Sequence, residues 1–254
     1  MNINIYPLFE EFSDLLKLYP PVKARDFLPD WYKKQPKFNR EDLFFGPTVP
    51  GAKMCPALTY EITEGIILPA WSDVIIRYNN NKVRWHCPVG DITYNNPHAN
   101  EFEWLSTHVS SQTDEMGLNV GTYGAIKLNS PYLIQTDNGI HTKFTDVTHH
   151  LRKDVRFISG TVETDIWHMV NFPFEFTKPP LEVGDDTVII KAGDPLLMLT
   201  PVVANKIKPT VTIKEYNQDF IDRFRLDELK QRSQSLSWVR YKQYKKGSSE
   251  YEEE

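Results

Sequence analysis

The 254-residue chain has a formal net charge of −5, with 40% hydrophobic and 25% charged residues. These are ordinary proportions for a folded domain, and no concentrated cationic face offers itself to a phosphate backbone. With 13% aromatics and 18 Pro against 12 Gly, strands and defined turns are expected rather than a helical bundle. The longest apolar run falls well short of the roughly 18 residues of a membrane span, and Met1 to Pro7 lacks a signal-like start. Neither nucleic acid nor a membrane is therefore an expected partner, and the expected location is the cytoplasm. Cys55 and Cys87 read as free thiols, because a chain of this size can bury a core without a bridge.

Asn2 to Tyr6 alternates, with Ile3 and Ile5 on one side, and predicts a short edge strand. Leu8, Phe12, Leu15, Leu16 and Tyr19 then share one helical stripe that Pro20-Pro21 stops. In Pro29-Asp30-Trp31-Tyr32-Lys33-Lys34-Gln35-Pro36, two aromatics and two lysines lie between prolines. That stretch is either a recognition loop that binds a ligand or partner through Trp31 and Tyr32, or a surface arm pinned down by its Trp.

Cys55 to Gly65 predicts a short helix with Pro56 at its first position and Gly65 just past its end. Ile66 to Trp71 and Asp73 to Tyr78 read as strands, and Asn79-Asn80-Asn81 turns the chain back into Lys82 to Cys87. Tyr132 to Thr136 and Ile140 to Phe144 flank Asp137-Asn138-Gly139, which predicts a hairpin with a type I′ turn. Val155 to Ser159, Val162 to Val170 and the alternating Phe172, Phe174 and Phe176 add strands, with Pro173 pushing the last toward an edge.

Thr187 to Val203 holds two apolar runs around Ala192-Gly193-Asp194-Pro195, a β-hairpin or a sheet-to-sheet corner. Leu196 to Leu199 does not alternate, so both faces of that strand should be covered. Beyond Pro209, Phe220, Ile221, Phe224 and Leu229 mark a helix with a narrow apolar stripe, in which Phe220 and Phe224 are candidate partner contacts. Lys242 to Glu254 reads as a frayed tail. The expected fold is mainly β: an antiparallel sandwich or jelly roll over residues 1–210 with an N-terminal helical arm, followed by a C-terminal helix and tail over 211–254.

Four histidines on or beside consecutive β segments, His141, His149, His150 and His168, are the chemical lead, with Asp146, Glu163 and Asp165 nearby. Imidazoles from neighbouring strands at the mouth of a jelly roll could hold a single divalent transition metal, as in a cupin-like oxygenase or isomerase. None of these histidines has the His-x-Asp or His-x-Glu spacing of a facial triad. Satisfied core or surface histidines are the rival reading. His86 and Cys87 point to opposite faces of a strand and cannot pair as base and nucleophile. Gly121 to Gly124 lacks the Lys of a phosphate loop.

Cys55-Pro56 leading to Gly65, Ile67-Leu68-Pro69 with Asp73, Pro131 to Thr136 with Gly139, and Ala192 to Pro195 with Thr200-Pro201-Val202 together resemble a domain family of unknown function. That family is found in tailed phages of marine cyanobacteria and in some bacteria. The resemblance spans residues 5–205 and implies a phage accessory protein, with no catalytic residues to carry over. On that basis the chain is expected to bind a host or virion protein or a small-molecule ligand, in the host cytoplasm or in the virion.

Overall fold

β-branched and aromatic residues at alternate positions make strands the commonest regular element among the described residues. The computed structural model describes residues 2–39, 49–88, 102–108, 113–202 and 210–233. In chain order these form β1 (Asn2–Pro7), α1 (Ser13–Leu18), β2 (Val22–Lys23), α2 (Asp30–Lys34), β3 (Phe38–Asn39), β4 (Val49–Pro50), α3 (Pro56–Thr63) and β5 (Ile66–Pro69). Next come β6 (Val74–Tyr78), β7 (Val83–His86), β8 (Leu105–Thr107), β9 (Ile126–Thr136), β10 (His141–Asp146), β11 (Val155–Phe157) and β12 (Gly160–Val162). β13 (Met169–Phe176), β14 (Asp186–Ile190), β15 (Pro195–Val202), β16 (Thr210–Ile213) and α4 (Gln218–Ser233) complete the set.

The fold is mainly β, with antiparallel and mixed sheets. One sheet runs β11-β13-β9-β1-β16, with β8 also on β9; a second runs β12-β10-β15-β5-β2; a third is β14-β6-β7. Ile3 and Phe172 from the first, Leu199 and Phe144 from the second, and Ile76 and Val188 from the third pack into one core. Among the described residues none of these sheets closes on itself. Among the described residues no helix is long and apolar enough to cross a membrane.

From Thr187 to Val202 the chain makes a corner between sheets. β14 pairs with β6 while β15 pairs with β5 and β10, and Gly193 supplies the positive φ of 83° on which the chain turns. Leu196 to Leu199 is buried throughout. The helix from Pro56 forms and stops at Thr63, and Gly65 follows at φ 113°. A Cβ at Gly65 would lie 3.0 Å from the Leu199 carbonyl oxygen, so packing as well as backbone angle demands glycine there. Cys55 is exposed, Cys87 is buried, and they are not joined.

Three expectations are corrected. The Asp137-Asn138-Gly139 turn does not close a hairpin: β9 pairs with β1 and β13, whereas β10 pairs with β15 and β12. Buried Thr164 sits at the split, its Oγ1 2.8 Å from Thr136 Oγ1 and 2.7 Å from Thr142 Oγ1, and so holds the two strand ends in different sheets. Only Gly139 of the turn has positive φ, whereas type I′ needs it at both central residues.

β1 is not an edge strand, because β16 pairs with it in parallel from Asn2↔Thr210 to Ile5↔Ile213. Pro173 lies on an interior strand. It is tolerated because its nitrogen faces the side where β11 has already ended, and its carbonyl accepts the Ile158 N–H at 2.8 Å.

A division between 210 and 211 falls inside β16, and Ile221 of α4 is fully buried in the core. The expected tail from Lys242 to Glu254 lies outside the described residues.

Candidate functional site

Three segments far apart in sequence converge: the arm around α2, the 148–154 segment after β10, and the corner that starts β15. Pro29 precedes α2 in extended conformation and sets its entry. The Tyr32 side chain turns inward, its hydroxyl 2.9 Å from Thr59 Oγ1 on α3. Trp31 meets the Tyr32 ring edge-on, with centroids 5.6 Å apart, and its indole N–H donates to the His149 carbonyl at 2.5 Å. The arm is thus anchored at both aromatics, one toward α3 and the other toward the histidine segment.

Between the arm and that segment lies a cleft with two lobes. The wider, about 610 Å³, is lined by Asp26, Phe27, Leu28, Pro29, Asp30, Trp31 and Lys33 of the arm. The narrower, about 360 Å³, is lined by Arg152, Lys153, Asp154 and Asp194. His150, Leu151 and Pro195 belong to both lobes and form the wall between them.

Leu151 is the one non-glycine residue with positive φ among the described residues, at 59°. The residue is 59% exposed. A left-handed leucine costs on the order of 1 kcal/mol, and exposure forgoes the gain of burying an apolar side chain. Arg152 follows with only 9% of its side chain exposed. Its Nη2 donates to the Pro195 carbonyl at 2.8 Å, and its buried Nε has no hydrogen-bond partner among the described residues.

His150 is held far below the usual imidazole range, to about 4, first by burial and then by its neighbours His149, Lys33 and Arg152. It is neutral at pH 7, with its ring 5.8 Å from that of Phe27. Asp146, at the end of β10, is raised, with burial the first cause.

The four candidate metal ligands are not brought together. His149 and His150 are neighbours in the cleft segment. His141 sits on β10 opposite Val202. His168 lies before β13, with Nδ1 2.9 Å from the Thr164 carbonyl oxygen. Among the described residues no group of three or more His, Cys, Asp or Glu side chains is placed to hold a metal ion.

His168 keeps company with α4: its ring lies 5.9 Å from Phe220 and 6.0 Å from Phe224, and Phe220 stacks on Tyr6 at 4.5 Å. Both phenylalanines therefore pack against the core cluster as half-buried side chains.

Comparison with protein-family models and with curated proteins finds no match.

The candidate residues re-sort across the groups the sequence puts them in. Trp31 joins His149 and His150 at the cleft, while His168 joins Phe220 and Phe224 under α4. Leu151, Arg152 and Phe27 carry no sequence signal. A left-handed position is ordinarily announced by Gly, Asn or Asp, and His150-Leu151-Arg152 contains none of these.

Proposed function

We propose that the chain is a non-enzymatic binding protein, with a β-sandwich scaffold that holds a small-molecule ligand in the two-lobed cleft. The observation that carries this reading is Leu151, strained and uncovered on the wall shared by both lobes. Backbone strain of this kind persists where surrounding structure enforces it, and it concentrates at ligand clamps. An apolar group laid against Leu151 would recover burial energy that the free protein forgoes. The cleft volumes fall within the roughly 300–1,000 Å³ of small-molecule sites. The sandwich reading draws on the single core to which three sheets contribute. A phage-type accessory role rests on the motif resemblance alone.

The test is retention. The full chain is equilibrated with a small-molecule extract of bacterial cells, separated by ultrafiltration, denatured and analysed by mass spectrometry. The wild type should retain a compound that Leu151→Asp loses at unchanged Tm. Retention no greater than that of a control protein, or equal retention by the variant, overturns the reading.

A further inference from the structure

We infer that the cleft takes a ring-bearing anion, its planar apolar part against Phe27 and Trp31 and its carboxylate or phosphate directed to Arg152. This rests on the proposal that the cleft is the ligand seat, and adds the chemical class of the occupant.

The wide lobe is suited to a flat apolar group. Trp31 has spent its only donor on the His149 carbonyl, so what it offers is ring surface. Phe27, Pro29 and Leu151 add apolar surface around it. Of the charged groups there, Asp30 and Lys33 form an exposed ion pair at 3.6 Å, and Asp26 also lines the lobe.

The narrow lobe holds two cations and two carboxylates, but they are not equally available. Asp154 accepts the Val155 N–H through Oδ1 at 2.9 Å, and Asp194 accepts the Lys191 N–H through Oδ2 at 3.1 Å. Each carboxylate thus stabilises its own turn. The Arg152 guanidinium is loosely held: its Nε lacks an acceptor among the described residues, its Nη1 forms a long ion pair with Asp154 at 3.9 Å, beyond hydrogen-bonding distance, and its charge also acts on Asp146. A guanidinium has five donors, and a buried one left unmet is destabilising. A small rotation of Arg152 toward the lobe would let a carboxylate or phosphate meet that need, and the exposed Lys153 ammonium stands beside it.

Lys33 and Arg152 both act on His150 with positive charge, while Asp26, Asp30, Asp154 and Asp194 also line the cleft, so the hold on an anion rests on direct contact with Arg152. The imidazole, neutral at pH 7, can accept or donate a hydrogen bond there without adding charge.

The experiment is a nitrogen–proton NMR titration of the full chain that follows the Trp31 indole and Arg152 Nε–H signals. Phenylacetate and phenyl phosphate are the aryl-anion probes and separate the two sources of negative charge. Benzylamine is the aryl cation, benzyl alcohol the neutral ring, and inorganic phosphate the anion without a ring. At least one aryl anion should shift both signals and bind about tenfold tighter than benzylamine, benzyl alcohol and phosphate, as expected for a charge-assisted contact. Arg152→Lys should weaken that binding, and Lys153→Gln, on an exposed side chain that leaves the fold intact, should weaken it severalfold at unchanged Tm.

Benzylamine or benzyl alcohol binding in the cleft as tightly as the anions would overturn the anion inference while leaving the ligand seat in place. Failure of every probe to move either signal would overturn both.

Discussion

The indole N–H of Trp31 donates to the backbone carbonyl of His149 at 2.5 Å, across 118 residues of sequence. This bond fixes the distance between the arm and the segment carrying His150, Leu151 and Arg152, and so sets the width of the cleft. An aromatic on a Pro-flanked arm is here both a pin and a wall.

Trp31→Phe keeps a ring but removes the donor, leaving the His149 carbonyl to solvent. Loss of one such bond is worth about 1 kcal/mol. Hydrogen exchange in α2 should accelerate while β9 and β13 stay protected, and aryl-ligand affinity should fall severalfold. Unchanged exchange in α2 would show that Tyr32 alone holds the arm.

Leu151→Gly relieves the left-handed strain and should raise stability by about 1 kcal/mol or slightly less, the gain being offset by greater freedom of the unfolded chain. Ligand retention should fall in the same variant. Denaturant unfolding reads the first effect and the retention assay the second. Destabilisation together with undiminished retention would mean that Leu151 serves the fold alone.

His150 makes stability depend on pH. Its folded value of about 4 lies below the roughly 6.5 of an unfolded histidine, so the unfolded chain binds more protons between those limits. The contribution is complete above about pH 6.5 and is lost as pH falls toward 4. Its partial exposure keeps this to the order of 1 kcal/mol. Asp146, raised by burial, acts with the opposite sign: its folded form keeps a proton longer, so stability declines as pH rises from the unfolded value near 3.9 through the folded one. His150→Gln should therefore lose less stability than the wild type between pH 7.5 and 5.5 in urea titrations, and an equal loss would refute the assignment.

Removing everything after residue 209 should unfold the protein rather than merely detach a helix, because β16 completes the sheet beside β1 and Ile221 is fully buried. Ile221→Ala, a milder probe, should cost about 2–5 kcal/mol. A truncated chain with wild-type Tm would return α4 to the role of a detachable partner-binding element.

Strands are largely legible in the sequence because their cause is local. Alternation at Ile3 and Ile5, the unbroken Leu196 to Leu199 run, and Pro56 ahead of a helix all follow from near-neighbour chemistry. Pairing is not local. Asn138-Gly139 looks like a hairpin until Thr164, more than twenty positions away, claims both strand ends, and nothing near Asn2 announces a parallel partner at Thr210. The candidate site divides in the same manner. Trp31 and His150 can be marked as residue types of interest, but their meeting depends on the long-range path of the arm. Leu151 escapes because its conformation is imposed by what surrounds it.

A crystallographic fragment screen on the full chain tests the central claim most directly, since it asks the protein where small molecules settle. The account predicts fragments gathered between the arm and the 148–154 segment, with rings against Phe27, Trp31 and Leu151 and acidic fragments turned toward Arg152. Fragments distributed over the surface without preference, or concentrated on another face with this cleft empty, would contradict it.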